Sequence, residues 1–235
     1  MSIESELKLF AETQSGGAEI TAEILEKFAL FYKELIEFNR KVNLTSVTDE
    51  SEFVVKHIAD SLSAEKYLPY GAAVCDIGPG GGFPSIPLKI LRNDLKFSLF
   101  EATEKKSAFI NAAAKTLNLN DFICFHKRAE DAARTPHRES FDAVAARAVA
   151  PLNVLLEYAL PLVKKGGIFI AYKGEGEDPS AGNRAAKLLG SKPPAIHEIT
   201  LPRSEYKRRL LIYEKINAAP AIYPRSGNKP RLDPL

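Results

Sequence analysis

Cysteine is scarce: the 235 residues hold two, Cys75 and Cys124, each inside an apolar strand-like run. That excludes a disulfide scaffold and leads one to expect a reducing cytoplasm. Both thiols read as small core residues. No stretch approaches the ~18 consecutive apolar residues of a membrane span. Residues Met1–Glu6 are acidic and lack the basic and apolar regions of a signal peptide. The triplet Gly-Lys-Ser/Thr is absent, which excludes a phosphate-binding P-loop. His57, His126, His137 and His197 show no ligand spacing and the cysteines form no pair, so no metal is expected. Internal repeats and low-complexity tracts are also missing. With 45% hydrophobic and 26% charged residues, the chain is neither disordered nor fibrous, and it is long enough to bury a core.

What is present is uneven. Residues 1–50 carry ten acids against five bases, and residues 201–235 carry eight bases against three acids. A basic end on a chain of net charge +2 points to a polyanionic partner, with a solvated face as the plain alternative. The first third reads helical, with apolar residues at three- and four-residue steps from Ile24 to Ile36. A second amphipathic helix opens on Asp49 and Glu52, at capping-box spacing. Five short apolar runs then follow: 72–77, 96–101, 121–125, 141–146 and 167–172. Helical stretches separate them, at 84–91, 104–117 and 152–163, with 181–189 after the last. That alternation predicts an α/β fold, a doubly wound and mostly parallel sheet with an N-terminal helical extension. Two more strands, 195–201 and 208–215, predict an edge hairpin with one antiparallel strand. The divisions expected are an extension over 1–64, the sheet domain over 65–217 and a basic tail over 218–235.

The first strand stops at Asp76-Ile77-Gly78-Pro79-Gly80-Gly81-Gly82-Phe83-Pro84. Glycines there allow a tight turn and a ligand pressed against bare backbone. The spacing is not that of a dinucleotide fingerprint, whose third glycine would fall at Phe83. Glycines at 78, 80 and 82 after an acid fit a nucleoside-type cofactor better. The second strand ends in Glu101, 23 residues after Gly78. In a doubly wound sheet that carboxylate lies across the crevice, where it can accept both hydroxyls of a ribose.

Asp76–Phe83, Glu101 and the end of the fourth strand resemble a class I methyltransferase that uses S-adenosylmethionine (AdoMet). The wider match is closer still. Asn39–Thr45, His57–Leu62, Asp76–Pro87, Arg128–Glu130, Ala146–Ala148, Tyr172–Gly174 and Tyr223–Arg225 occur in the order seen in the RsmG (GidB) family. The resemblance covers roughly residues 25–235. Ser85 stands where that family usually has glycine, and the tail after Arg225 lacks its usual paired arginines. The resemblance implies AdoMet-dependent methylation at N7 of a guanosine in small-subunit (16S) rRNA. The substrate it implies is that rRNA or a ribosomal particle, and a monomer is the expected state. It also implies an adenine site at Ala129 and Glu130. The cofactor-binding set is then Asp76, Gly78, Gly80, Phe83, Glu101, Ala129, Glu130 and Arg147.

The residues themselves agree through what they lack. Guanine N7 carries a lone pair and no proton, so its methylation needs alignment and no general base. No Asp/Asn-Pro-Pro-aromatic follows the fourth strand, as an adenine-N6 enzyme would have, and no Pro-Cys offers a nucleophile. Arg147 ends the fourth strand at the crevice and is the candidate to align substrate or cofactor; a surface ion pair is the alternative. His57, Asp60 and Ser61 read either as a pocket wall or as a polar stripe tying the extension to the sheet, and Asn39 and Asn43 likewise. Lys173, Arg203, Lys207, Arg208, Arg209 and Arg225 are the candidate RNA contacts. Tyr206, Tyr213 and Tyr223 could stack bases or sit half-buried in the sheet. A small-molecule methyltransferase and a non-catalytic RNA-binding or ribosome-assembly protein are the rival readings.

Overall fold

The computed structural model describes residues 3–13 and 19–235. Three helical segments come first. They are α1 (Ile3–Thr13), α2 (Ala22–Asn39) and a continuous helix made of α3 (Glu50–Phe53), a π-helical segment (Val54–Ala59) and α4 (Asp60–Leu62). Thr21 Oγ1 caps α2 at the Ile24 amide, and Asp49 Oδ1 caps α3 at the Glu52 amide.

The apolar runs then form β1 (Ala73–Ile77), β2 (Lys96–Glu101), β3 (Phe122–His126), β4 (Phe141–Arg147) and β5 (Val163–Gly174). The helices between them are α5 (Ser85–Leu91), α6 (Glu104–Thr116), α7 (Ala129–Ala132) and α8 (Leu152–Ala159). After β5 come α9 (Asn183–Leu188), β6 (Ala195–Thr200), β7 (Lys207–Glu214) and the short α10 (Lys229–Leu232). The sheet order is β3-β2-β1-β4-β5-β7-β6. β1 to β5 are mutually parallel, and β7 runs antiparallel to both β5 and β6. Chain order reverses between β1 and β4, so the crevice for a ligand opens at their C-terminal ends.

Side-chain alternation divides the sheet between two cores. Val74, Leu99, Ala143, Ala145, Ile170 and Leu210 face the first, with Leu7, Phe10, Phe28 and Phe31 from the N-terminal helices. Cys75, Ile77, Phe100, Val144, Ala171 and Leu211 face the second, with α8, α9 and Ala219. The N-terminal helices therefore pack directly on one face of the sheet. Continuing the same parity to the strand ends decides the site. Arg147 follows Ala143 and Ala145 onto the N-terminal side, and Arg208 precedes Leu210 onto that side. Lys207 and Arg209 fall on the other.

Candidate active site at the C-terminal ends of β1 and β4

The loop after β1 bends back under its own strand. Gly78, Gly80 and Gly82 all have positive φ, at 62°, 58° and 93°. The Gly78 amide donates to Phe100 O at 2.9 Å, and those of Gly82 and Phe83 donate to Pro79 O. The loop is fastened to β2 through Glu101, whose Oε2 accepts from the Gly80 amide at 3.1 Å while Oε1 accepts from Thr103 N at 2.8 Å.

Two cavities meet at this loop. The larger, about 820 Å³, is walled by Gly78–Gly81, Phe83, Glu101, His57, Asp60, Arg147, Tyr172, Lys173 and Arg208, among others. The smaller, about 170 Å³, is walled by Phe100, Glu101, Ala129, Glu130, Tyr158 and Arg231, among others. Gly78, Glu101 and Val149 line both, so the Glu101 carboxylate stands where one opens to the other.

Arg147 is held from the N-terminal side. Its Nη1 donates to Lys56 O and to Asp60 Oδ2, each at 2.9 Å, and its Nη2 donates to His57 Nδ1 at 3.0 Å. The guanidinium also lies over the Phe83 ring, 4.9 Å from its centroid. The His57 ring also stacks on Phe83, with centroids 4.1 Å apart and the planes tilted by 20°. Because Nδ1 accepts from Arg147, the ring proton is on Nε2, which donates to Thr45 Oγ1 at 2.7 Å. Thr45 is fixed in turn by Asn39, whose side chain bonds Leu44 N, Thr45 N and Thr45 O. His57 and Asp60 are thus at once tie and pocket wall, whereas Ser61 and Asn39 are ties alone. Ser61 is buried and its carbonyl accepts from Tyr172 Oη at 2.8 Å.

Burial, and then the Arg147 cation, pull the His57 pKa down from 6.5 to about 3. The folded protein therefore holds a neutral ring where the unfolded chain would be protonated. Its stability contribution is complete above pH 6.5 and is lost as pH falls toward 3. The stability difference between wild type and His57→Gln should shrink by up to about 1.4 kcal/mol per pH unit below pH 6. Urea unfolding of both proteins at pH 7, 6 and 5 reads this; a constant difference would mean that His57 is not held neutral.

Several expected contacts are relocated. Asp76 lines neither cavity: strand parity turns it under the loop, fully buried, where it accepts from Ser85 Oγ at 2.5 Å. Burial pushes its pKa up to about 7, against the opposing Ser85 bond. Its place is beneath the glycine turn, where its bond to Ser85 supports the loop. Gly78, Gly80, Phe83, Glu101 and Arg147 line the large cavity, and Ala129 and Glu130 the small one.

The single RNA surface expected from Lys173, Arg203, Lys207, Arg208, Arg209 and Arg225 divides into separate places. Arg208 and Lys173 line the large cavity. Lys173 is nearly buried and donates to Ala150 O and Glu177 Oε1. Arg209 pairs with Glu198 on the other side of the sheet, and exposed Lys207 sits 3.5 Å from Glu175. Arg203 is neutralised by buried Glu6 of α1 at 2.8 Å, and Arg225 by fully buried Glu157 of α8 at 2.7 Å. These last two are held in ion pairs that tie α1 and α8 to the rest of the chain. The acidic start and basic end of the chain in part neutralise each other. Of the three tyrosines, Tyr213 is fully buried and Tyr223 lies in the tail beside Arg225. Tyr206 remains half exposed, with Lys56 Nζ 4.7 Å from its ring centroid.

The profile of a family described as rRNA small subunit methyltransferase G matches residues 24–202. The Ribosomal RNA small subunit methyltransferase G of Macrococcus caseolyticus is 42% identical over 235 residues, covering 98% of this chain and 99% of that protein. The chain belongs to this family. The methyltransferase G of Lactobacillus acidophilus is 44% identical over 217 residues, covering 89% of this chain and 90% of that one. A solved structure of M. jannaschii TYW2 in complex with AdoMet aligns with a TM-score of 0.52 at 16% identity, over 67% of this chain and 77% of that one. At that identity the likeness establishes the fold alone.

Sequence reasoning missed Lys56, Lys106, Val149, Tyr158 and Arg231, all of which line the two cavities. Lys56 had a readable signal, because it precedes His57 on a helix already singled out. Tyr158 and Arg231 had none, since only the folded tail brings them together.

Proposed function

We propose that the chain transfers the methyl group of AdoMet to N7 of a guanosine in small-subunit rRNA. Family membership supports the rRNA methylation, and one feature of the cavity supports N7. The histidine and each carboxylate on the described wall of the large cavity accept at least one hydrogen bond from the chain. His57 is used on both nitrogens, Asp60 accepts from Arg147, Glu101 from two amides, and Glu177 from Lys173 and from the Leu152 amide. These groups are tied into the fold around the cavity, and N7, which carries a lone pair and no proton, requires no general base.

The residues present fit AdoMet. The glycine turn leaves bare backbone beside Gly80, where an added Cβ would meet nothing within 4 Å. Glu101 at the junction suits a ribose, Ala129 and Glu130 in the smaller cavity suit the adenine, and the larger cavity has room for both the amino-acid part and a guanosine. When bound, AdoMet supplies an electrophilic methyl on a sulfonium. The chain's own work is to place the acceptor in line with that methyl, an effect worth about 7–11 kcal/mol when donor and acceptor are well oriented. Arg147 retains Nε and one Nη2 hydrogen beyond its bonds to Lys56, His57 and Asp60, so it can hold guanine O6 or a phosphate. Transfer to N7 would require no proton acceptor from the chain, whose part is to hold the guanine edge in line with the bound methyl donor.

Lys56, Lys106, Arg147, Lys173 and Arg208 outnumber Asp60, Glu101 and Glu177 around the large cavity, which favours an RNA over a small neutral acceptor. Strand parity then separates two adjacent arginines. Arg208→Ala should reduce the salt dependence of RNA binding by about 0.7–0.9 in the log–log slope, the effect of one lost phosphate contact. Arg209→Ala should leave the slope at the wild-type value. Filter binding over a salt series decides it, and equal effects would mean that both faces of β7 meet RNA. The function itself is tested by incubating small-subunit rRNA with methyl-labelled AdoMet. Label should enter the RNA, and a folded protein that binds AdoMet but labels no RNA would favour a small-molecule acceptor.

A further inference from the structure

The C-terminal tail comes back to the cofactor side of the sheet and is locked there. Arg225 bonds Glu157 through Nε, Nη2 and its backbone amide, and the same guanidinium reaches Asp233 Oδ2 and Asp233 O beyond α10. One side chain therefore ties both ends of the α10 turn to α8. Arg138 and Arg134 add bonds to Tyr223 O and Pro224 O at 2.7 Å each. Pro230 is buried under the turn. This leaves Arg231 exposed to solvent on one side and lining the small cavity on the other, where it reaches the hydroxyl of Tyr158.

We propose that α10 is the outer wall of the nucleoside subsite and that Arg231 holds the purine from its open side. This deepens the AdoMet reading and depends on it. The chemistry favours arginine here. A guanidinium is planar and weakly hydrated, so it stacks on an aromatic face, which a purine offers and an amino-acid side chain in the larger cavity does not. Glu130 on the facing wall keeps the small cavity from being uniformly cationic. Nothing else in the tail reaches that cavity: among the described residues of its wall, Arg231 is the sole member from beyond residue 158.

The test is calorimetric, with wild type, Arg231→Ala and Arg231→Lys titrated with S-adenosylhomocysteine and, separately, with adenosine. Arg231→Ala should weaken both ligands by the same factor, about tenfold. Arg231→Lys should recover little of the loss, since it keeps the charge but not the plane. Thermal unfolding of the ligand-free proteins should be unchanged, because Arg231 is exposed. Wild-type affinity in Arg231→Ala, a loss confined to S-adenosylhomocysteine, or full recovery with lysine would each overturn the proposal. Failure of wild type to bind S-adenosylhomocysteine would overturn the AdoMet reading itself, and this inference with it.

Discussion

The Arg225→Ala protein should be less stable than wild type by about 3–5 kcal/mol, the cost of leaving one partner of a buried ion pair alone. Glu157 has no exposed surface, and Arg225 supplies its carboxylate with side-chain bonds of 2.7, 3.0 and 3.2 Å. Truncation leaves that buried carboxylate with only the residue 225 backbone amide as a donor among the described residues. It also frees Asp233 and with it the far end of α10. Adding Glu157→Gln to Arg225→Ala should restore part of the loss, since a neutral amide is far cheaper to bury. Urea unfolding of the two single variants and the double variant gives the coupling. A loss below about 1 kcal/mol for Arg225→Ala, the scale of an exposed pair, would mean that Arg225 is free for the RNA contact its position in a basic tail first implies.

The Gly78→Val protein should fold but lose AdoMet binding by about a hundredfold or more. At φ +62° a branched residue is strained by about 1–3 kcal/mol. Its Cβ would sit 3.1 Å from Val149 Cγ2, and crowding of this kind costs about 1–3 kcal/mol more. Both residues line both cavities, so relief of the crowding closes the passage beside Glu101. Gly71→Val separates the two costs. Gly71 has nearly the same φ, +68°, but nothing within 4 Å of an added Cβ and no place on either cavity wall. It should lose stability and keep AdoMet affinity. Equal affinities in the two variants would detach the glycine turn from cofactor binding.

The strands were readable because short apolar runs alternating with helical stretches mark them in any tertiary context, whereas their order in the sheet was not. Side-chain parity, carried from Ala143 and Ala145 to Arg147, already says which face the arginine takes. The glycine turn and Glu101 were readable because close backbone approach restricts residue choice severely. Long-range pairing was not. Counting charge over 201–235 is blind to Glu6, which lies 197 positions from Arg203, and to Asp60, which meets Arg208 3.3 Å away. The π-helical segment was hidden too, since Phe53, Val54 and Ile58 satisfy an ordinary amphipathic helix equally well. One warning was legible. Glu157 stands in the apolar run Leu152–Ala159, and a carboxylate there demands a cation from elsewhere in the chain. Read that way, it announces the return of the tail.

The central claim is that this cavity aligns a guanosine N7 for methyl transfer with no general base. Its most direct test is to methylate small-subunit rRNA with labelled AdoMet and then treat the product with borohydride and aniline, which cut RNA at N7-methylguanosine. The account predicts labelled RNA that is cut at a guanosine, with label and cutting rising together. RNA that takes up label and resists cutting would contradict it, because the methyl would then lie on an atom whose methylation leaves the ring intact.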